Sequence, residues 1–161
     1  MTLLSSLSPT AARVQALLIE AGFECKVIEF SESTRTAQEA ADRVGCSLGQ
    51  IVKSLIFQGA VSGKPILVLT SGANRVNEAL VSQYAGEAIR RADPDFVRQA
   101  TGFAIGGVPP LGHASPMETY LDEDLLQYPS LWAAGGAPSA VFELTPAELR
   151  KITSGNVRKV K

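Results

Sequence analysis

The chain has 161 residues, enough to bury a hydrophobic core and within the usual size of one domain. Hydrophobic residues make up 45% of it and charged residues 19%, which excludes a disordered chain, and no apolar run reaches the roughly 20 residues of a membrane-spanning helix. The formal net charge of −1 argues against a protein that grips nucleic acid by charge alone, so any contact with RNA must be local. We expect no DNA partner and no membrane partner. The first residues lack the pattern of a secretory signal, which predicts a cytoplasmic protein.

In chain order, capping residues and glycines predict where the helices begin and end. Ser8 and Pro9 predict the start of a helix that stops at Gly22, and Thr36 predicts the start of a second that stops at Gly45. The remaining helices are predicted at residues 77–84, 93–102 and 145–155, and a single helical turn at 47–50.

Short apolar and β-branched runs between these helices predict strands. They lie at residues 25–30, 51–57, 65–70, 119–122, 131–134 and 140–144, with an edge strand at 156–160. The run at 65–70 is apolar throughout, which indicates burial on both faces. Strands and helices alternate irregularly, and no repeat or linker interrupts them. We therefore predict a mixed α/β fold in a single domain spanning residues 1–161.

Lys53 lies within the apolar strand at residues 51–57. A lysine there either reaches solvent or faces a cavity, where its partly desolvated ammonium would need an anion such as a phosphate or a developing oxyanion. The segment alone favours the solvent-exposed alternative.

A second candidate is the stiff loop formed by Gly106, Gly107, Val108, Pro109 and Pro110. Its glycines let a backbone approach a ligand closely, and their N–H groups are expected to be free to donate. The glycine spacing is not that of a phosphate-binding loop. An ordinary structural turn is an equally good interpretation of the segment.

His113, at the end of this loop, is the only histidine. It either lines a site, orienting substrate or transferring a proton near neutral pH, or is a hydrogen-bonded structural residue. The turn at Gly135 and Gly136 has two interpretations: a hairpin connection, or a second wall of the same pocket.

The two cysteines, Cys25 and Cys46, are too few for a disulfide scaffold, and with one histidine they predict no metal site. Cys46 is expected to be a small buried residue rather than a reactive thiol. The best basic candidates for RNA contact are the C-terminal segment (Arg150, Lys151, Arg158, Lys159, Lys161) and then Arg90 with Arg91. Each has an equally good interpretation as solvated surface.

Taken together, the strand around Lys53, the loop from Gly106 to His113 and the Gly135-Gly136 turn resemble the YbaK/ProX family of free-standing tRNA-editing proteins. These are similar to the editing domain inserted in bacterial prolyl-tRNA synthetase. The resemblance extends from about Pro9 to the C-terminus, and the segments 34–37 and 145–146 also fit it.

The resemblance implies a curved mixed β-sheet or partial barrel flanked by short helices. It implies a trans-editing hydrolase that deacylates mischarged tRNA, with tRNA-Pro carrying Ala, Cys or Ser as the expected substrate. The expected partners are the tRNA 3′ end and prolyl-tRNA synthetase, and no cofactor is expected. The terminal ribose hydroxyl of the substrate would help to activate water.

By the same resemblance, Lys53 would bind the phosphate of the terminal adenosine and the ester end. The backbone of Gly106 and Gly107 would align the attacking group, with Val108, Pro109, Pro110, His113, Gly135 and Gly136 holding the amino acid. Some family members have a histidine near the C-terminal glycine turn, where this chain has alanines, so the selected amino acid is open. The alternatives are a non-catalytic module that binds aminoacyl-tRNA or a synthetase, a Schiff-base enzyme using Lys53, and a structural protein.

Overall fold

The computed structural model describes residue 3 and residues 6–34 and 36–161. Within these ranges the helices are α1 (Pro9–Glu20), α2 (Ala37–Val44), α3 (Glu78–Ala85), α4 (Pro94–Thr101) and α5 (Pro146–Thr153). The strands are β1 (Val27–Glu29), β2 (Ile51–Gly59), β3 (Pro65–Ser71), β4 (Ile89–Arg91), β5 (Glu118–Asp122), β6 (Leu131–Ala134), β7 (Ala140–Leu144) and β8 (Asn156–Arg158). Single turns of 3₁₀ helix lie at Leu48–Gln50 and Glu123–Gln127.

All the described strands belong to one eight-stranded sheet with the order β1-β7-β6-β2-β3-β5-β8, and β4 pairs separately with β2. The β2–β6, β3–β5 and β5–β8 pairs are parallel, whereas β2 runs antiparallel to β3 and to β4. The predicted mixed α/β class is therefore confirmed. No described helix has both the length and the apolar character needed to cross a membrane.

Side chains alternate between the two faces of β2, and each face has its own core. Val52 and Ile56 join the larger core, which includes Leu18 of α1, Val97 of α4 and Leu149 of α5. Phe57 joins a smaller core with Val81 of α3 and Tyr120 of β5 on the other face. β2 and β3 thus form the central layer, with helices on both sides.

Most of the predicted helix caps are confirmed. The side chains of Thr36, Asn77, Asp93 and Thr145 each accept a hydrogen bond from a backbone N–H in the first turn of their helix. Ser8 differs, because its N–H and Oγ donate to the buried Glu29 carboxylate at 2.7 and 2.9 Å. It therefore ties α1 to β1 instead of capping its own helix.

Several element boundaries differ from the sequence prediction, and β2, for example, extends two residues further, to Gly59. α5 ends at Thr153, and the residue after it, Ser154, takes the left-handed conformation (φ 49°) expected for Gly155. β1 and β8 are shorter than predicted, at three residues each. β4 was not predicted, because a three-residue strand containing Arg90 and Arg91 has the composition of a charged surface loop.

Gly136, in the turn between β6 and β7, offers a test of close packing. Its φ is 103°, and a Cβ there would lie 2.7 Å from the Thr10 carbonyl oxygen of α1. Gly136→Ala should lower the free energy of unfolding by about 3 kcal/mol, combining left-handed strain with overpacking. Gly45→Ala is the matched control, because Gly45 has a φ of 77° but nothing within 4 Å of the Cβ position; its cost should be about 1 kcal/mol. Equal losses in urea unfolding would contradict the contact with α1.

Candidate active site

The sheet is interrupted along one edge of β2. On that edge β6 pairs only with Ile51 and Val52, and β4 pairs only with Phe57, Gln58 and Gly59. Residues 53–56 have no strand partner there among the described residues. Side chains from both faces of β2 line a cavity of about 320 Å³ at this gap. That volume is at the small end for ligand sites.

The main chain of β2 faces the cavity at Ser54. The carbonyl of Ile56 accepts a hydrogen bond from the Ala92 N–H at 3.1 Å, on the edge occupied by β4. Peptide groups alternate between the two edges of a strand, so the N–H and C=O of Ser54 point to the same edge, into the gap. The cavity therefore presents a backbone donor and acceptor as well as apolar side chains.

The side chain of Ser54 is unusual in a different way. Its hydroxyl oxygen is buried, and the structure gives it no hydrogen-bond partner within the described ranges. A buried hydroxyl without a partner costs about 1–3 kcal/mol of stability.

Ser54→Ala should therefore raise the free energy of unfolding by about 1 kcal/mol, since it removes the unsatisfied hydroxyl and little volume. Urea denaturation of the variant beside the wild type measures this. Ser71→Ala is the control: the Ser71 hydroxyl is also buried, but it donates to the Gly49 carbonyl at 2.7 Å, so this change should destabilise. A loss of stability in Ser54→Ala would show that its hydroxyl has a partner.

Lys53 lines the cavity from β2. Its Nζ donates to the backbone carbonyl of Asn74 at 2.9 Å, in the loop after β3. Lys53 as a whole is half-buried, and its ammonium is held by this loop at the border of the cavity. Of the two alternatives left open by the sequence, the structure supports the cavity-facing one.

A buried carboxylate organises the loop that holds Lys53. Asp122, only 1% exposed at the end of β5, accepts hydrogen bonds from the Thr70 hydroxyl, the Ser71 N–H and the Asn74 side-chain amide at 2.8–3.0 Å. The Asn74 amide also donates to Asp124 at 2.8 Å. Asn74 is therefore fixed by two carboxylates while its main-chain carbonyl receives Lys53.

The charge state of Lys53 depends on these neighbours. Burial lowers the pKa of the Lys53 ammonium below its ordinary value, and the positive charge of Arg91 lowers it further. The negative charge of Asp122 acts in the opposite direction. Lys53 is thus a cation whose proton is lost at a lower pH than that of a surface lysine.

Asp122→Asn should lower the pKa of Lys53 further, because it removes the anion that favours the charged form. The pH dependence of acylation of Lys53 by an amine-reactive reagent, read by peptide mass spectrometry, reports this pKa. The reactivity profile should move to lower pH in the variant. The exposed Lys64 serves as the internal control in the same digest. If the Lys53 and Lys64 profiles both stay in place, Asp122 has no electrostatic influence on Lys53.

The glycine-proline loop reaches the cavity through Gly106 and Val108. Gly106 adopts a φ of 88°, and its N–H has no acceptor within the described part of the chain. Gly107 does not fit the prediction, because its N–H is not free: it donates to the Ala104 carbonyl at 3.0 Å. A Cβ on Gly107 would lie 2.8 Å from Cα of Ala137, so this glycine allows the loop to pack on the β6–β7 turn.

The rest of the loop is turned away from the cavity. Pro109 and Pro110 are buried, and His113 bonds the Pro109 carbonyl through Nε2 at 2.7 Å. Burial lowers the pKa of His113, and the bond to Pro109 opposes this shift. None of these three residues lines the cavity, so the geometry favours the structural interpretation of His113, which closes the loop.

Gly135 and Gly136 also lie outside the cavity lining. The Gly135 N–H donates to the Ala140 carbonyl at 2.8 Å, which closes the β6–β7 hairpin. Their neighbour Pro138 lines the cavity, and its carbonyl accepts hydrogen bonds from the N–H and hydroxyl of Thr34. The β6–β7 turn does form one wall of the cavity, but through Pro138 and not through Gly135 or Gly136. Arg35, between the cavity residues Thr34 and Thr36, lies outside the described residues.

The remaining candidates carry no chemistry at this cavity. Burial raises the pKa of Cys46, and burial together with Glu148 raises the pKa of Cys25 to about 11, so neither thiol is activated. Cys46 is half-buried rather than fully buried as expected. Within the described ranges, no three His, Cys, Asp or Glu side chains are grouped closely enough to hold a metal ion.

Sequence reasoning missed three residues at or beside the cavity, Ser54, Asn74 and Asp122, and it considered Arg91 only as a candidate for RNA contact. Asn74 and Asp122 are distant from Lys53 in sequence: the antiparallel pairing of β2 with β3 brings Asn74 to Lys53, and the parallel pairing of β3 with β5 adds Asp122. The one available signal was an acidic residue directly after an apolar strand.

The family model, the curated relatives and the solved structures that resemble this chain agree with one another. Residues 31–152 match the aminoacyl-tRNA editing domain family. An uncharacterised protein of Bacillus subtilis is 36% identical over 83% of this chain and 85% of its own length. A candidate Cys-tRNA(Pro)/Cys-tRNA(Cys) deacylase of Enterococcus faecalis is 24% identical over 81% of this chain and 80% of its own.

Proline–tRNA ligase of Limosilactobacillus fermentum is 32% identical over 56% of this chain, which corresponds to 16% of that enzyme. Among solved structures, a candidate trans-editing enzyme for prolyl-tRNA synthetase superimposes with a TM-score of 0.92 at 53% identity, covering 97% of this chain and 99% of the other. A hypothetical protein superimposes with a TM-score of 0.84 at 30% identity, covering 92% of this chain and 98% of the other.

Proposed function

Because the chain belongs to the aminoacyl-tRNA editing domain family, we propose that it is a trans-editing hydrolase that deacylates mischarged tRNA, with tRNA-Pro bearing a small amino acid as its substrate. The observation that carries the assignment of the site is the meeting of Lys53, the Gly106 corner and the Ser54 peptide group at one cavity. The candidate Cys-tRNA deacylase and the prolyl-tRNA synthetase relatives support the choice of substrate.

The cavity suits an aminoacyl ester in size and polarity. Its volume of about 320 Å³ and its largely apolar lining, which includes Ile56, Val97 and Val108, fit a small side chain. The Ser54 N–H is placed to donate to the carbonyl oxygen of the aminoacyl ester, and the Ser54 C=O to accept from its α-amino group. Lys53 lies at the same cavity and supplies the positive charge that a terminal phosphate or the ester end requires.

Hydrolysis adds water to the ester carbonyl, passes through a tetrahedral oxyanion and expels the ribose oxygen, releasing the free amino acid and uncharged tRNA. The Lys53 ammonium and the Gly106 N–H are the donors that we assign to the developing negative charge. The one histidine, His113, does not line the cavity, and its Nε2 is hydrogen-bonded to the Pro109 carbonyl. We therefore assign activation of the water to the free ribose hydroxyl of the substrate.

The assignment predicts that Lys53→Ala lowers kcat/KM for deacylation by about 100-fold or more, because it removes a charged donor to the transition state. Release of labelled alanine, cysteine or serine from mischarged tRNA-Pro, with tRNA in excess over protein, measures this. Excess substrate also separates a hydrolase from a module that only binds aminoacyl-tRNA.

Lys64→Ala is the matched control, since it removes the same charge from the exposed turn between β2 and β3. It should deacylate at the wild-type rate. If Lys53→Ala is as fast as the wild type, the site is wrongly assigned; if the wild type releases none of the three amino acids, the proposed substrate is wrong.

A further inference from the structure

The function proposed above makes no use of the positive charge near the C-terminus. Arg158, Lys159 and Lys161, which we call the C-terminal basic segment, are all exposed. Arg158 of β8 pairs in register with Asp122 of β5, and Asp122 accepts a hydrogen bond from Thr70, the partner of Lys53 on β3. Paired residues share a face, so Lys53 and Arg158 lie on the same face of the sheet, at the two ends of a row across β2, β3, β5 and β8.

Polar contacts connect this segment to Lys53. Lys161 forms an ion pair with Asp124 at 3.3 Å, and Asp124 accepts from the Asn74 amide at 2.8 Å. The carbonyl of Asn74 accepts from Lys53 at 2.9 Å. The basic segment is therefore adjacent to the loop that holds the Lys53 ammonium.

The backbone of the segment is held in place. Val160 is fully buried in the smaller core, and its carbonyl accepts from the Asn77 N–H at 2.7 Å. The Tyr84 hydroxyl donates to the Lys159 carbonyl at 2.8 Å, and the Arg158 guanidinium lies 5.3 Å from the centre of the Tyr84 ring. A fixed backbone lowers the entropy lost when a ligand binds these side chains.

Two of the three cations are available to a ligand. Over the described ranges, Arg158 and Lys159 form no ion pair, and only Lys161 is engaged, with Asp124. The carboxylates on this face include Asp122, Asp124, the exposed Glu78 at the start of α3, and Glu118, which interacts with Tyr120. Asp122 is buried and Asp124 is paired with Lys161, so these two carboxylates do not neutralise Arg158 or Lys159 directly.

The other basic pair of the C-terminal region lies elsewhere. Arg150 and Lys151 are exposed on α5, which packs through Leu149 and Ile152 on the larger core, against the opposite face of the sheet. The two groups of basic residues that are close together in the sequence therefore lie on opposite faces of the sheet. Only the C-terminal basic segment shares a face with Lys53.

We propose that the C-terminal basic segment binds backbone phosphates of the tRNA acceptor end while the terminal aminoacyl-adenosine occupies the cavity. This rests on the proposed function and adds a second, electrostatic part to the substrate-binding surface. Neutralising phosphates with a few lysines and arginines gives a salt-dependent contribution that needs no overall basic charge. It accounts for RNA binding by a chain whose net charge is −1.

The test compares R158Q/K159Q with R150Q/K151Q, which removes the same charge from the opposite face. KM and kcat for deacylation of mischarged tRNA-Pro, and binding of uncharged tRNA-Pro by fluorescence anisotropy, are measured between 50 and 300 mM salt. In R158Q/K159Q we expect KM to rise about tenfold with kcat unchanged, and the slope of log affinity against log salt to fall by about 1 to 2. R150Q/K151Q should match the wild type in all three quantities.

A short substrate provides a further control. An aminoacylated adenosine 5′-monophosphate keeps only the terminal phosphate and lacks the backbone phosphates of the acceptor end, so R158Q/K159Q should hydrolyse it at the wild-type rate. Equal KM and equal salt slopes for R158Q/K159Q and the wild type on tRNA would overturn the proposal, and so would equal effects of the two double variants. If the wild type binds tRNA with the expected salt dependence but deacylates nothing, the proposed function fails and the binding surface stands.

Discussion

Among the described strands, the middle of β2 has a partner on one side only, and this interruption determines what the rest of the fold can do. A peptide edge left open in a sheet must be covered or used, because unpaired N–H and C=O groups in a protein interior are costly. Here β6 and β4 pair with the two ends of β2, and the residues between them border a cavity. The same interruption gives a ligand access to main-chain groups and to side chains from both faces of the strand.

The second requirement is a positive charge at that opening. A lysine beside apolar residues tends to lose its proton or turn to solvent, and its position here depends on a hydrogen-bonded network. Asp122 is almost fully buried, yet it accepts hydrogen bonds from two residues of the neighbouring strand β3 and from Asn74 of the following loop, so its charge is well compensated. That network fixes Asn74, and the Asn74 carbonyl then keeps the Lys53 ammonium at the cavity.

The sequence was most informative where the physical rules are local. Caps such as Thr36 and Thr145, and the stop at Gly45, depend on neighbours a few residues away, and the helices that they predict are present. The apolar run of β3 is buried on both faces as expected. The order of strands was not predictable, because it depends on contacts between segments far apart in the chain, and the role of Asp122 was missed for that reason. The short strand at Arg90 and Arg91 was missed because its composition is that of a charged surface loop. The composition of the glycine-proline loop predicted site roles for Gly107, Pro109 and His113. In the structure Gly107 packs on the β6–β7 turn, and His113 closes the loop by its hydrogen bond to Pro109.

The contact between Gly107 and Ala137 has a consequence for how such a pocket can change. Two main chains touch there with no side chain between them, and Thr34 ties the next residue, Pro138, to the same wall. The spacing between the glycine-proline loop and the β6–β7 turn, two walls of the pocket, is therefore set by their main chains. Trimming lining side chains would deepen the pocket without widening it, and enlarging a glycine would displace the whole turn. A protein of this design would accommodate a bulkier acyl group most readily by lengthening the hairpin between β6 and β7, so insertions there are the natural route to a new selectivity.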